Sequence, residues 1–384
     1  MPRRTHVGRA AIVLAALSLF AAACSDDDDS NGAAADGNGD EEAAGTGGEG
    51  GDGDGLLGEV RDRGTLQCGV NETVPGFGLI DAEGNYAGFD IEFCKAVAAA
   101  VLGDSEAVEY TSLDTETRFT ALQAGDIDVL IRNTTWTSSR DGTENSRFLT
   151  TTFYDGQGMM VATDSGYQSL ADMNGTTICV LSGTTTELNL ATAAAAAGID
   201  YTPLTFPDNE QVQQAFIAGQ CQGWTSDKSQ LAGVRSAWPD DQGGPDALVV
   251  LDETFSKEPL GPVVLDGDEE WADAVNWAVI ATIQAEEFGI TSDNVEQMTT
   301  SDNLDILRFL GQPIPDPEDE AAEAQPFDPG LALEPDFAVD VISQVGNYGE
   351  IYDRTVGPDT PPGLERGPNA QWTDGGLLYA PPYR

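Results

Sequence analysis

The sequence predicts an α/β protein made of two related units, and three observations carry that prediction. In residues 118–142, Phe119, Leu122 and Gln123 lie at helical spacing, Gly125 stops the helix, and Ile127, Val129 and Ile131 alternate as in a strand. Residues 211–230 repeat the layout with a helix, a stop at Ala218-Gly219 and a short strand from Cys221 to Trp224, and Ala121-Leu122-Gln123-Ala124-Gly125 lines up with Ala215-Phe216-Ile217-Ala218-Gly219. The third observation is size: from about Leu56 to Arg384 the chain is long enough for two lobes with sizeable cores.

Taken from the start, Arg3, Arg4 and Arg9 make a positive segment ahead of the short apolar stretch Ala10 to Ala23, and Ala21-Ala22-Ala23-Cys24 reads as a small-residue cleavage site ending in cysteine. The apolar stretch is too short for a spanning helix. Residues 25–57 are dominated by Asp, Glu, Gly, Ala, Ser and Asn, with neither aromatic nor β-branched aliphatic residues until its end. Such a stretch buries no apolar surface and reads as a disordered acidic tether. A first strand follows from Thr65 to Val70, then the loop Asn71 to Phe77, a tight turn at Asp81 to Asn85, and a helix introduced by Gly88-Phe89-Asp90 and running through Val101, with Asp90 as its N-cap. Ala96, Val97, Ala100 and Val101 form the buried stripe of that helix. The second unit opens with a strand from Thr176 to Leu181 that runs into Ser182-Gly183-Thr184-Thr185-Thr186-Glu187 and a helix from about Leu188. Farther on, Trp271 and Trp277 sit on a helix whose apolar stripe continues through Ile280 and Ile283, and residues 313–329, rich in Pro, Ala and acid, read as a loop excursion. None of the six tryptophans is assigned to a site.

The chemistry lies where the strands end. After the first unit's strand come Asn133, Thr134, Thr135 and Thr137, closed by Arg140: short donors and one guanidinium, which offer a fork to a carboxylate. After the second unit's strand come Thr225, Ser226 and Asp227. One cluster ends in a cation and the other in an anion, so a cleft between the units would clamp an α-amino acid at both charged ends. Free backbone N–H groups at the helix start after Ser182 favour a carboxylate as well.

Composition narrows the classes. A net charge of −49, from 17 Lys plus Arg against 66 Asp plus Glu, argues against nucleic-acid binding, which needs clustered cations on phosphate. Apart from Cys24 the cysteines are Cys68, Cys94, Cys179 and Cys221, an even set in an exported chain, which favours disulfides; of the three possible connectivities, Cys68 with Cys94 and Cys179 with Cys221 keeps each bridge inside one unit. No CxxC pair is present, and no metal or cofactor is called for. The single histidine is His6, so the chain after the leader has no imidazole for a triad or a metal ligand.

The helix segment GFDIEFCKAVAAAV from Gly88 to Val101 resembles the signature of the family 3 extracellular solute-binding proteins that serve polar amino acid ABC importers. CGVN from Cys68, RNTTWT from Arg132, YDGQG from Tyr154, SGTTTELNL from Ser182 and SKEPLGP from Ser256 resemble the subgroup that binds general L-amino acids, and VGNYGEIYDR from Val345 and GGLLYAPPYR from Gly375 carry the likeness to the C-terminus. The leader resembles a bacterial lipoprotein signal in which Cys24 becomes the lipidated N-terminus, departing from the usual pattern by Ala21 where Leu is common.

What the resemblance implies is a two-lobed periplasmic-binding-protein fold of type II with two crossover strands, each lobe a mixed sheet flanked by helices. One lobe would comprise residues 58–161 and 256–384, the other residues 162–255. The ligand carboxylate would go to Arg140, helped by Asn133, Thr135 and the Thr184-Thr185 backbone and hydroxyls, and the ammonium to Asp227. Asn71, Val74 and Ser182 would face the ligand side chain; Asn71 and Val74 carry neither charge nor aromatic face, which implies a broad range. The protein would act as a monomer anchored by lipid on the outer face of the cell membrane, or free in the periplasm, and deliver free L-amino acids to ABC permease subunits. The rival classes are an enzyme on the same fold, a lyase or dehydratase using Glu187 or Lys257, and a lipid-anchored sensory or structural module.

Overall fold

The computed structural model describes residues 55–315 and 324–384, so the expected signal segment, Cys24 and nearly all of the tether lie outside the described residues. Two five-stranded sheets organise the rest. In the first, Val108–Ser112, Leu66–Val70 and Val129–Leu130 run parallel, followed by Val263–Leu265 and the edge strand Ser146–Phe148, both joined antiparallel. In the second, Thr202–Phe206, Thr177–Leu181 and Gly223–Asp227 run parallel, followed by the antiparallel Gln157–Ala162 and Leu248–Val250. The fourth place in each sheet is thus filled by a strand that enters from the other lobe. The chain crosses twice, and on the way Phe153–Asp155 pairs antiparallel with Glu258–Leu260. These are the two crossovers of a type II fold. Because Gln157–Ala162 belongs to the second sheet, residues 157–161, expected in the first lobe, lie in the second.

The hydrophobic stripe of Phe89–Leu102 explains where that helix packs. Phe89, Ile91, Phe93, Ala96, Val97 and Ala100 are buried in one core with the Glu269–Glu287 and Phe337–Gln344 helices. Each large apolar side chain contributes roughly 1.5–3 kcal/mol there. The helix's N-cap is Gly88 rather than Asp90; Gly88 sits at φ 134°, and a Cβ would lie 2.3 Å from the carbonyl oxygen of Phe77. Other boundaries shift less. The second unit's helix begins at Thr185 rather than Leu188, its strand is Gly223–Asp227, and the alternation from Ile127 to Ile131 yields only Val129–Leu130. Within residues 313–329, Pro313–Ile314 pairs with Gln325–Pro326 as a small ribbon.

The structure joins Cys68 to Cys94 and Cys179 to Cys221, with Cα atoms 6.2 and 5.7 Å apart, so each bridge stays inside one lobe. No helix among the described residues is long and apolar enough to cross a membrane.

Candidate functional site

The C-terminal ends of parallel strands from the two sheets face one another, which brings the two sequence clusters together. Between them lies a small cavity, about 20 Å³, whose wall includes Asn133, Thr135 and Arg140 from the first lobe and Thr184, Thr185 and Asp227 from the second. The lobes are closed on each other. Thr115 Oγ1 donates to the Ser182 carbonyl at 2.8 Å, Ser182 Oγ donates to Glu116 Oε1 at 2.6 Å, and Asn133 Nδ2 donates to Gln230 Oε1 at 3.1 Å.

Arg140 sits in the short helix Ser138–Thr143, capped by the Thr137 hydroxyl, and is 9% exposed. Its Nη1 donates to the Thr135 carbonyl at 2.9 Å, which leaves most of the guanidinium free for a ligand. Asp227 ends the Gly223–Asp227 strand and is 6% exposed; its Oδ1 is buried without a hydrogen-bond partner. Burial pushes the Asp227 carboxyl well above its usual range, Asp155 and Glu258 add to the rise, and Arg118 and Arg140 oppose it. A buried carboxylate in that position calls for a cation.

The remaining expected residues divide. Asn133 adopts φ 31°, a left-handed conformation that Asn tolerates, and its N–H donates to Asp90 Oδ2 at 2.7 Å. Thr135 and Thr185 place their hydroxyls 3.3 Å apart across the cleft, and Thr185 also donates to Glu258 Oε2 at 2.8 Å. The Thr184 hydroxyl caps the Thr185–Ala197 helix by accepting from the Glu187 N–H, so the helix start facing the cavity is fixed. Ser182 bridges the lobes at the rim. Asn71 is 3% exposed, and its Oδ1 accepts from the Thr73 N–H at 3.1 Å, a turn-stabilising role; it also lines a second cavity, of about 250 Å³, that shares Thr115, Arg132 and Leu181 with the first. Val74 is a correction: it is fully buried in the first lobe's core, because its two-residue strand turns that side chain inward.

Several residues in or behind the cavity wall were not found from the sequence. Arg118 and Arg132, 3% and 6% exposed, line it beside Arg140. Glu258, 1% exposed, lies on the returning crossover and accepts from Thr185, Asn189 and Ser256. Asp90, expected as a cap, is buried and holds the Asn133 loop. Only pairing across distant segments reveals these; the single signal in the sequence was an Arg opening the helix of the first run. Of the enzyme candidates, Glu187 Oε2 accepts from the Gly183 N–H at 3.0 Å and Lys257 is exposed away from the cavity. No group among the described residues could hold a metal ion.

Comparison with known proteins gives a consistent picture. The model of the bacterial extracellular solute-binding proteins, family 3, matches residues 66–297. The general L-amino acid-binding periplasmic protein AapJ of Rhizobium johnstonii is 47% identical over 328 residues, covering 85% of this chain and 92% of that protein. The glutamate/glutamine/aspartate/asparagine-binding protein BztA of Rhodobacter capsulatus is 47% identical over 329 residues, covering 85% and 93%. Among solved structures, a periplasmic binding protein of an ABC transporter from Brucella ovis, with glutathione bound, superposes with a TM-score of 0.79 at 44% identity, covering 86% of this chain and 99% of that one.

Proposed function

This chain belongs to the family 3 bacterial extracellular solute-binding proteins, and from that premise we propose that it captures free L-amino acids between its lobes and hands them to an ABC importer. The observation that carries the reading is the pair Arg140 and Asp227. They are buried side chains of opposite charge, supplied by different lobes to one cavity, and neither forms an ion pair within the protein among the described residues. A zwitterion supplies both missing partners: its carboxylate meets the Arg140 fork and the start of the Thr185–Ala197 helix, and its ammonium meets Asp227. Asn133, Thr135 and Thr185 add donors, while Ser182 closes the rim between the lobes and Asn71 lines the adjoining second cavity. Binding therefore needs both lobes, and release needs their separation; no bond in the ligand has to change, and the reading is of a carrier rather than an enzyme.

Calorimetry on the purified protein tests this. Arg140→Lys keeps the charge but loses the planar fork and is expected to weaken binding of every amino acid by roughly 1.5–3 kcal/mol. Asp227→Asn is expected to do comparable damage while sparing analogues that lack the ammonium. Unchanged affinity in both variants would show that the site lies elsewhere. Glutathione belongs in the ligand panel, given the Brucella ovis structure.

Location follows from the leader. Ala21-Ala22-Ala23-Cys24 and the acidic run after it support lipidation of Cys24 and a tether to the outer face of the membrane. Mass spectrometry of the membrane fraction is expected to find a mature chain beginning with acylated Cys24; release of the unmodified protein in quantity would rule out the anchor.

A further inference from the structure

A larger recess lies on the far side of the crossover strands. Its volume is about 740 Å³, the size of a small-molecule site, and its wall is mainly apolar, with Trp136, Pro259, Pro368 and Leu377 along it. Strand alternation puts it behind the cleft. Thr135 faces the amino-acid cavity and Trp136, the next residue, faces the recess; Glu258 reaches Thr185 in the cleft, while its neighbours Lys257 and Pro259 face the recess. Cross-strand partners share a face, so Asp155 lies opposite Glu258 on the cleft side and Tyr154 lies opposite Pro259 on the recess side. The Asp155 carboxylate, at the edge of the recess, already accepts from the Gly156 and Ser229 N–H groups at 2.7 and 3.2 Å.

The polar groups of this wall suit an anion. The chain carries three lysines against a net charge of −49. Lys95 pairs with Glu106, whereas Lys228 and Lys257 have no carboxylate partner among the described residues, and both border the recess. Lys228 Nζ donates to the Asp252 carbonyl at 2.8 Å and the Thr254 hydroxyl at 3.1 Å, which leaves one N–H, and the exposed Lys257 donates to no described residue. Trp136 stacks one face on Phe148, with ring centroids 6.2 Å apart and planes 3° apart, and is 43% exposed, so its other face is open. A flat ring laid on Trp136 with a carboxylate reaching a lysine satisfies both features.

The recess has a wall in each lobe. Trp136, Pro368 and Leu377 belong to the first and Lys228 to the second, with Gly156 and Lys257 of the crossovers between them. Opening the mouth of a jaw brings together the surfaces behind its pivot. The recess is formed while the lobes are closed, so an occupant there resists opening.

We propose that this recess is a second ligand site that takes a small aromatic carboxylate, and that its occupant favours the closed lobes and so tightens amino-acid binding in the cleft. The coupling rests on the amino-acid-binding reading above; the site itself does not.

Calorimetry on the full purified protein tests this, with indole-3-acetate as the probe and L-glutamine as the cleft ligand. Indole-3-acetate is expected to bind with a Kd below about 1 mM, and about tenfold tighter than acetate, which lacks the ring, or indole-3-acetamide, which lacks the charge. Saturating L-glutamine is expected to leave the probe bound and to tighten it about fivefold, and the probe to tighten L-glutamine by the same factor. Trp136→Ala and Lys257→Ala are each expected to weaken the probe about tenfold while leaving L-glutamine, measured alone, within about threefold, which also reports that the variants fold. No binding of the probe up to about 5 mM overturns the proposal. Displacement of the probe by L-glutamine overturns it as well, because the probe then sits in the cleft, and so does equal binding of acetate or unaltered binding in both variants. An L-glutamine affinity that the bound probe does not change overturns the coupling. Absence of any L-glutamine binding would instead refute the amino-acid-binding reading, and the recess would stand or fall on the two variants.

Discussion

Asp90 shows what a single buried carboxyl does to the whole protein. Burial pushes it up to about 7, against the pull of the Asn133 N–H and Arg132, and Asp155 is raised to about 6, also by burial first. A carboxyl whose pKa is raised on folding keeps a proton that the unfolded chain gives up, so stability falls as pH rises from about 4 to about 7. For Asp90 alone the change is at most on the order of 4 kcal/mol. No described residue is a histidine, so nothing else with an ordinary pKa titrates through the upper half of that window. Unfolding free energies across pH 4–8 are expected to decline with pH in the ligand-free protein, and Asp90→Asn, which keeps an acceptor for the Asn133 N–H, is expected to flatten the decline; an unchanged slope would move the effect to Asp155 and Asp227. At this scale the sequence was legible where a residue announces its chemistry. Arg140 and Asp227 stood out as charges at strand ends. Asp90, Arg118 and Val74 did not, because whether a side chain points to the core or to the cleft is decided by segments far away in the chain.

The elements closest to the cleft govern how it shuts. The Lys228–Ser236 helix presses Gly233 against the loop after Asn71, and a Cβ there would meet the Pro75 carbonyl oxygen at 2.3 Å. Gly233→Ala is therefore expected to hold the lobes apart and weaken ligand binding by roughly 1–3 kcal/mol. The melting temperature of the ligand-free protein should stay near that of the wild type, because the contact lies between lobes and not within a core. Equal losses of stability and affinity would contradict this. Helices and parallel strands of both units were readable from periodicity and glycine stops. The pairing of Phe153–Asp155 with Glu258–Leu260 was not, since three-residue strands about a hundred positions apart carry no local pattern, and the lobe boundary moved with them.

For the molecule as a whole, the bridges and the hinge have separable jobs. The bridges span 26 and 42 residues, for which loop entropy gives roughly 3–4 kcal/mol each. Replacing either pair by serine is expected to lower the melting temperature yet leave ligand affinity unchanged in the fraction that folds, because neither bridge crosses the cleft. Small-angle scattering on the same samples is expected to show a smaller radius of gyration on ligand saturation, since the donors on the two lobes meet one ligand only in the closed form. One feature of the crossover determines how that closing happens. Asn369 grips Tyr154 at both its N–H and its carbonyl, at 2.7 and 3.2 Å, and the Tyr348 hydroxyl holds the Thr152 carbonyl at 2.8 Å. Upstream of Asp155 the crossover is thus clamped to the first lobe, and bending is left to Asp155-Gly156 and the returning segment beside them, where a Cβ on Gly156 would strike Thr254. The protein closes as a jaw on a short pin: a few degrees at the pivot become ångströms of travel at the mouth, and no loop has to melt for the cleft to open or shut.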